Sequence, residues 1–377
     1  MPHQAGPADF ATNVVKWQRA HGRHGLPWQN TSDPYRIWLS EIMLQQTQVA
    51  TVIAYYERFL QRFPHVRALA DASQEEVMPY WAGLGYYARA RNLHRCAQVI
   101  RDTWGGEFPR DSTDIVTLPG IGRSTAAAIA AFAHGERSPI MDGNVKRVFT
   151  RYFGIEGDTS TRAVEQLLWQ TAEEVLEAAP AQLDMKAYTQ GLMDLGSGIC
   201  TRGRPACEAC PMASGCWARA HGRQLDLPTP KRRKRPQERS CSMLILENTG
   251  SILLQQRPSS GIWGGLLSLP QFDSYELLES TCAGWGLSLA PAQKMAALSH
   301  AFTHFKLHIE PWLVVGDSQL VMELAADHLW LPISELPGAA LPAPVRKLLE
   351  GVYAPNLFDA DSPDAVSLDA SPVEPND

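Results

Sequence analysis

The stretch Leu118-Pro-Gly-Ile-Gly-Arg-Ser-Thr125 decides the fold of the first half of the chain, because it runs directly into the helix-forming segment Ala126–Ala133. Two helices should therefore meet at a Pro-Gly-x-Gly turn, within about residues 111–134. Gly120 and Gly122 can adopt positive φ and expose backbone N–H groups, and the next helix adds the positive end of its dipole. The turn predicts a phosphate site that positions DNA without reading its sequence. A glycine turn that only joins packed helices is the alternative.

A second compact motif follows the hairpin, since four of the seven cysteines lie between residues 200 and 216. No export signal precedes them, so disulfides are not expected. Structural zinc loops usually pair two Cys-x2-Cys knuckles, whereas here a single loop must wrap one centre. The spacing C-x6-C-x2-C-x5-C therefore favours a [4Fe-4S] cluster, with zinc as the alternative. The expected ligands are Cys200, Cys207, Cys210 and Cys216.

Two carboxylates suggest chemistry. Glu41 interrupts an apolar stripe of a predicted helix, with Trp38 and Leu44 one turn away. Such surroundings raise a carboxyl pKa, so that the group can donate a proton near neutral pH. Asp142 precedes a helical segment, where N–H groups and the dipole favour its ionised form. Cleavage of an N-glycosidic bond requires this division of labour; a structural Glu and a simple helix cap are the alternatives.

The chain divides by texture. Helical periodicity runs from about 34 to 217, most clearly over 35–63, 75–80, 88–103 and 161–179. We therefore place a helical domain at 1–224. Residues 225–240, with three prolines and six Lys or Arg, form a predicted linker. Short β-prone runs at 241–246, 252–256 and 306–315, with a helix near 274–284, then predict a smaller α+β domain at 241–354.

The net charge of −6 does not exclude a nucleic-acid partner. The end of the chain, 355–377, holds six acidic residues and no Lys or Arg, so the remainder is neutral. Local basic runs can then neutralise phosphates. We expect the acidic tail to be disordered, because it has few large apolar residues. No run of ~18 uncharged apolar residues occurs, so we expect a soluble, cytoplasmic protein, associated with the nucleoid if bacterial, and no membrane partner.

Several motifs together resemble the MutY-type adenine DNA glycosylases of the endonuclease III superfamily, over roughly residues 10 to 220. The resemblance implies an all-α helix-hairpin-helix glycosylase domain with a [4Fe-4S] loop. Glu41 would protonate adenine at N7, Asp142 would stabilise the sugar cation or its covalent equivalent, and Asn144 would support Asp142. The motifs are Leu26–Gln29, Ser40–Gln48, Gly83–Arg89, the LPGIG turn, Met141–Lys146 and the four cysteines.

The same resemblance implies the DNA contacts. Trp28, Gln29, Leu44 and Gln190 would line a pocket for the extruded adenine. Gln46 and Tyr86 would fill the stack that the adenine leaves. Related lyases carry a catalytic lysine two residues after the last glycine of the hairpin, and this chain has Ser124 there. The resemblance therefore predicts a monofunctional enzyme.

The C-terminal domain resembles the Nudix-like domain of the same family. Gly261–Gly265 and Ala301–Lys306 match the loops near 8-oxoguanine, so Phe302, Thr303 and His304 would recognise the lesion. Thr303 departs from the family's serine but keeps the hydroxyl. No R-E-x-x-E-E helix is present, so pyrophosphate cleavage lacks its Mg²⁺ ligands.

These observations predict a monomeric glycosylase that removes adenine opposite 8-oxoguanine or guanine in double-stranded DNA. A bifunctional glycosylase/lyase for oxidised pyrimidines and a non-catalytic Fe–S DNA-binding protein are the competing hypotheses.

Overall fold

The computed structural model describes residues 7–231, 237–258, 260–302, 305–316 and 324–353. Contacts between Cα atoms divide the chain into two compact units, Met1–Asp71 with Arg91–Arg233, and Ala72–Ala90 with Lys234–Asp377. The division at Arg233 falls inside the predicted linker. Residues 72–90, which the sequence placed in the helical domain, group with the second unit because contacts follow packing rather than chain order. The acidic tail, 355–377, lies outside the described residues.

Helices make up the structure before the linker, as the 3.6-residue periodicity predicted. The predicted helix 88–103 is confirmed at both ends, and the one predicted at 161–179 begins and ends one residue inside its bounds. In chain order the helices are α1 Pro7–His21, α2 Pro34–Met43, α3 Val49–Arg62, α4 Val66–Asp71, α5 Gln74–Val77, α6 Ala88–Thr103, α7 Ser112–Ile115, α8 Arg123–His134, α9 Gly143–Phe153, α10 Arg162–Ala178, α11 Met185–Asp194 and α12 Trp217–Ala220.

The prediction of one helical segment over 35–63 is wrong. The chain leaves the helix after Met43, turns, and begins α3 at Val49. Within the turn Gln46 adopts a left-handed φ of 59°. No glycine or proline occurs between residues 44 and 48, so the sequence gave no sign of the break. The segment predicted at 75–80 similarly divides into α5 and a 3₁₀ turn at Met78–Tyr80.

The core of the first unit lies among α1, α8, α9, α10 and α11. Phe10 of α1 is fully buried, with its ring 5.4 Å from that of Phe149 and 4.6 Å from that of Tyr152. Three of the four loop cysteines pack against this same cluster. Hence α9, whose side chains fill the centre of the core, also contacts the cysteine loop.

A mixed sheet forms the second unit's scaffold. β1 runs parallel to β7, with Gln237 opposite Phe305 and Glu247 opposite Val315, and antiparallel to β2 and β4. All three predicted strands are confirmed within longer or equal spans, and α13 begins after the N-cap Ser274. The elements are β1 Gln237–Asn248, β2 Ser251–Gln256, β3 Leu267–Ser268, β4 Gln271–Phe272, α13 Tyr275–Gly284, β5 Gln293–Lys294, β6 Leu298–Ala301, β7 Phe305–Val315, β8 His328–Pro332 and α14 Ala343–Tyr353.

The predicted linker is shorter than 225–240. At its far end β1 already begins at Gln237, because its polar residues pair with β7. At its near end Leu227 is buried, and its carbonyl accepts a hydrogen bond of 2.9 Å from Nε of Arg151. The backbone N–H of Gly157 also donates to Thr229. Residues up to Thr229 are therefore anchored to the helical unit, which the prolines and basic residues did not suggest.

Candidate active site

A cavity of about 280 Å³ opens in the helical unit between the segment after α1, the N-terminal part of α2 and helix α11. Glu41 lies in its wall. The four residues predicted to form a base pocket, Trp28, Gln29, Leu44 and Gln190, line the same cavity. Residues that are far apart in the sequence thus meet around one space, which is the arrangement expected of a small-ligand site.

Glu41 lies in the last turn of α2, next to the buried side chains of Ile42 and Met43. Burial of its carboxyl disfavours the charged form and raises its pKa to about 8, and the negative charge of Asp142 raises it further in the same direction. The group therefore keeps its proton at neutral pH. The apolar surroundings inferred from the sequence are present.

Asp142 is the N-cap of α9. Its Oδ1 accepts hydrogen bonds from the backbone N–H groups of Asn144, at 2.8 Å, and Val145, at 2.7 Å. These donors and the positive end of the helix dipole favour a carboxylate. Asn144 supports Asp142 through its backbone, since its side-chain Oδ1 instead accepts from Arg147 at 2.9 Å.

Ser124 also positions this segment. Its hydroxyl accepts a hydrogen bond of 2.9 Å from the backbone N–H of Met141, the residue before Asp142. The helix that follows the glycine hairpin is thereby tied to the segment that bears the carboxylate. Sequence comparison pointed to Ser124 only for the lysine that it lacks, so this contact was not foreseen.

Two arginines connect α9 to the cysteine loop. Arg147 donates to the carbonyl oxygens of Gly196 and Cys200, and Arg151 donates to the carbonyl of Thr201 and to Sγ of Cys200. Gly196 must be a glycine because a Cβ there would lie 2.6 Å from the Cβ of Asn144. One helix therefore holds the carboxylate at its start and the first cysteine along its side, an arrangement that sequence reasoning missed.

The four loop cysteines surround a small cavity of about 30 Å³. Burial raises the pKa of the Cys210 thiol to about 11, and the proximity of the other three thiols contributes to the shift. Their convergence in a partly buried, sulfur-rich space fits a soft metal centre. Among the described residues, no group of three or more Cys, His, Asp or Glu is arranged to hold a metal ion.

The hairpin has the predicted turn with one correction. Gly120 has a φ of 78°, and a Cβ there would lie 2.6 Å from the Cβ of Asn92. Gly122, expected to share that freedom, has instead an extended φ of −90° because it is the N-cap of α8. Its Cβ position faces open space, so backbone N–H groups at the start of α8 are accessible to a phosphate.

Backbone strain marks three of the sequence motifs. Gln46, Tyr86 and Trp263 all have positive φ, at 59°, 50° and 55°. Such conformations cost free energy in non-glycine residues and collect at functional sites. Gln46 is exposed and Tyr86 is 47% exposed, so both predicted wedge side chains are accessible to a partner.

In the second unit, the two loops predicted to read the lesion adjoin. The ring of Trp263 lies 5.7 Å from that of Phe302, which stacks on Phe305 at 4.4 Å. Thr303 and His304 lie outside the described residues. Of the three residues predicted to contact 8-oxoguanine, the structure therefore describes Phe302.

Family comparisons agree with this architecture. Residues 39–174 match the HhH-GPD superfamily base excision DNA repair proteins, and residues 241–351 match the NUDIX domain. The chain is 34% identical to an adenine DNA glycosylase of Buchnera aphidicola over 352 residues, covering 93% of this chain and 99% of that protein. It is 32% identical to the human adenine DNA glycosylase, covering 90% of this chain and 73% of that one.

Among solved structures, a thermostable thymine-DNA glycosylase is similar at a TM-score of 0.51 and 28% identity, over 57% of this chain and 97% of that one. The match extends about as far as the helical part of the chain. No helix in the described parts of the chain has the length and apolar character needed to span a bilayer.

Proposed function

This chain belongs to the adenine DNA glycosylase family, and from that premise we propose that it hydrolyses the N-glycosidic bond of adenine mispaired with 8-oxoguanine or guanine in double-stranded DNA. The observation that carries the proposal is the pair of carboxyls at the cavity: Glu41, whose raised pKa keeps it protonated, and Asp142, which caps α9. A protonated acid and an anion are the two groups that glycosidic cleavage needs.

The proposed reaction has three parts. Glu41 donates its proton to N7 of adenine, and the C–N bond breaks with its electron pair leaving on the base. Asp142 stabilises the positive charge that develops on the sugar. Water then adds to C1′ and releases a proton, which completes hydrolysis. Ser124, in place of the lysine of related lyases, supplies no amine for a Schiff base, which favours a monofunctional enzyme over a glycosylase/lyase.

Recognition is proposed to be shared among three surfaces. Trp28, Gln29, Leu44 and Gln190 hold the extruded adenine, and Gln46 and Tyr86 fill the space left in the stack. The hairpin at Gly120, Gly122 and Ser124 binds a phosphate. Phe302, Thr303 and His304 recognise 8-oxoguanine in the opposite strand.

The four cysteines are proposed to hold a [4Fe-4S] cluster. Such a centre, when bound, contributes to folding, because it joins otherwise separate loop segments. The chain's own part is clear from its contacts: Arg151 donates to Sγ of Cys200 at 3.3 Å and Gln224 lies 3.9 Å from Sγ of Cys207. Hydrogen bonds of this kind stabilise negatively charged sulfur.

The test is base release from an end-labelled duplex with a single A:8-oxoguanine pair, under single-turnover conditions and followed by alkaline strand cleavage. We expect release by the unmodified protein and a loss of at least about 100-fold in Glu41→Gln and Asp142→Asn, with DNA affinity within about tenfold. Near-normal release by either variant would remove that residue from its role. Strand cleavage without alkali would favour the glycosylase/lyase, and binding without release would favour the non-catalytic protein.

A further inference from the structure

Asp194 is a buried carboxylate at the end of α11, behind the cavity wall. Only 4% of the residue is exposed, and it is absent from the sequence motifs discussed above. Its two oxygens accept three hydrogen bonds: from Nε of Arg23 at 2.6 Å, from the backbone N–H of Arg23 at 2.9 Å, and from Nε2 of Gln190 at 2.8 Å. A buried charge with this many donors costs free energy to desolvate, so it needs a reason beyond packing.

The hydrogen bond to Gln190 fixes the orientation of that amide. A carboxylate can only accept, so the atom of Gln190 that faces Asp194 must be Nε2. The other amide atom, Oε1, is then the one left for the cavity that Gln190 lines. The amide would otherwise be able to present either a donor or an acceptor by a half-turn about its last bond.

Asp194 also anchors the segment that carries Gln29. Through Arg23 it holds the start of the loop after α1, where a Cβ on Gly22 would come within 3.0 Å of Oδ2 of Asp194. Nε2 of Gln29 donates to the carbonyl oxygen of Arg23 at 2.9 Å, and its Oε1 accepts from the backbone N–H of Leu26 at 3.0 Å. The second glutamine of the cavity is therefore oriented by the same anchor.

We infer that Asp194 is a positioning residue for base selection: it holds Gln190 so that Oε1 accepts a hydrogen bond from the 6-amino group of adenine. This inference rests on the proposed function. A fixed acceptor at this place favours a base with a donor at position 6 and disfavours guanine, whose position 6 carries an oxygen. Selection of adenine then depends on a residue that does not itself touch the base.

The test compares two bases that differ only in that donor. Single-turnover release is measured for adenine and for unsubstituted purine, each opposite 8-oxoguanine, so that N7 is available to Glu41 in both. Asp194→Asn can offer Gln190 an N–H in place of a carboxylate oxygen, which lets the glutamine amide turn. We expect the adenine-to-purine rate ratio to fall about five- to tenfold, the worth of one hydrogen bond, with a smaller fall in purine release.

Two further variants separate positioning from folding. Gln190→Ala should lower the ratio to a similar value, and adding Asp194→Asn to it should change the ratio by less than about twofold, since coupled residues are not additive. Asp71→Asn is the matched control, because Asp71 pairs with Arg101 at 2.9 Å and does not line the cavity; the ratio should stay unchanged.

Equal losses for adenine and purine in Asp194→Asn would overturn the inference and leave Asp194 a structural residue. If that variant does not fold, an unaltered ratio in Gln190→Ala overturns it equally. Failure of the proposed function is distinguishable, because in that case the unmodified protein releases no adenine at all.

Discussion

Glu41 and Asp142 carry the same functional group in opposite surroundings. Glu41 lies among apolar side chains, where burial and the nearby negative charge of Asp142 both oppose its ionisation. Asp142 accepts two backbone N–H groups at the start of α9, and these stabilise a negative charge. The difference between the two groups therefore comes from where each side chain is placed, and it assigns the acid and the anion without reference to a bound substrate.

The pH dependence of base release follows from the raised pKa of Glu41, which lies at about 8. The acid is present below that pH and is lost as the pH rises through it. We expect the single-turnover rate to be level near pH 7 and to fall about tenfold per pH unit well above the pKa. A rate that increased from pH 7 to pH 9 would show that the ionised form of Glu41 is the active one.

The same shift predicts an effect on stability that can be measured without DNA. Relative to an ordinary value of 4.5, the raised pKa means that ionisation of Glu41 destabilises the folded state as the pH rises toward and past 8. Glu41→Gln should therefore melt close to the unmodified protein at pH 6 and at a higher temperature at pH 9.

Sequence reasoning found the residues that stand within motifs and missed those that act through distant contacts. Glu41 was evident because a carboxyl within an apolar helical stripe is unusual. Asp194 is an ordinary acidic residue in its helix, and its partner Arg23 is 171 positions away in the chain. No local pattern encodes such a pair, so the orientation of Gln190 could be learned only from the fold.

At the scale of elements, α9 links the catalytic carboxylate to the cysteine loop. Arg147 lies one turn after Asp142 and donates to a side chain, Asn144, and to the backbone carbonyls of Gly196 and Cys200. We expect Arg147→Met to destabilise the fold by about 2 to 4 kcal/mol, because it leaves three acceptors without their charged donor. Thermal unfolding measures this, and iron content and base release should fall together with the melting temperature.

Arg19→Met is the control for loss of an arginine. Arg19 pairs with Asp184 at 2.9 Å, but its side chain is 64% exposed, so its loss should cost less than about 1 kcal/mol. Equal melting temperatures for Arg147→Met and Arg19→Met would show that the contacts of α9 with the cysteine loop contribute little to the fold.

Element boundaries show where sequence patterns stop being informative. The helix α6 and the strands near 252–256 and 306–315 follow their periodicity closely because each packs one regular face. The break between α2 and α3 and the burial of Leu227 depend on tertiary contacts, which can override local preference. The turn at Gln46 has a left-handed residue in a stretch that reads as continuous helix.

At the scale of the whole molecule, the proposed chemistry and the proposed lesion recognition lie in different units. Glu41, Asp142 and the cavity belong to the first unit, and the loops of Trp263 and Phe302 belong to the second. The predicted architecture of a helical domain followed by a smaller α+β domain is confirmed by the family matches to 39–174 and 241–351. Selectivity for the opposite base should therefore be separable from the bond-breaking step.

Phe302→Ala in the full-length protein tests that separation. The ring of Phe302 stacks on Phe305 and lies 4.7 Å from the ring of His300, so its loss should loosen the loop that continues to Thr303 and His304. Because the variant leaves Glu41 and Asp142 untouched, release of adenine opposite guanine should stay within about twofold, whereas the preference for 8-oxoguanine over guanine should fall about tenfold, the worth of one or two contacts to a base edge. Leu277→Ala, which removes a half-exposed apolar side chain from α13, should change neither rate. If the preference of Phe302→Ala equals that of the unmodified protein, or if both rates fall by the same factor, the lesion is read elsewhere, and the helical unit becomes the place to look for it.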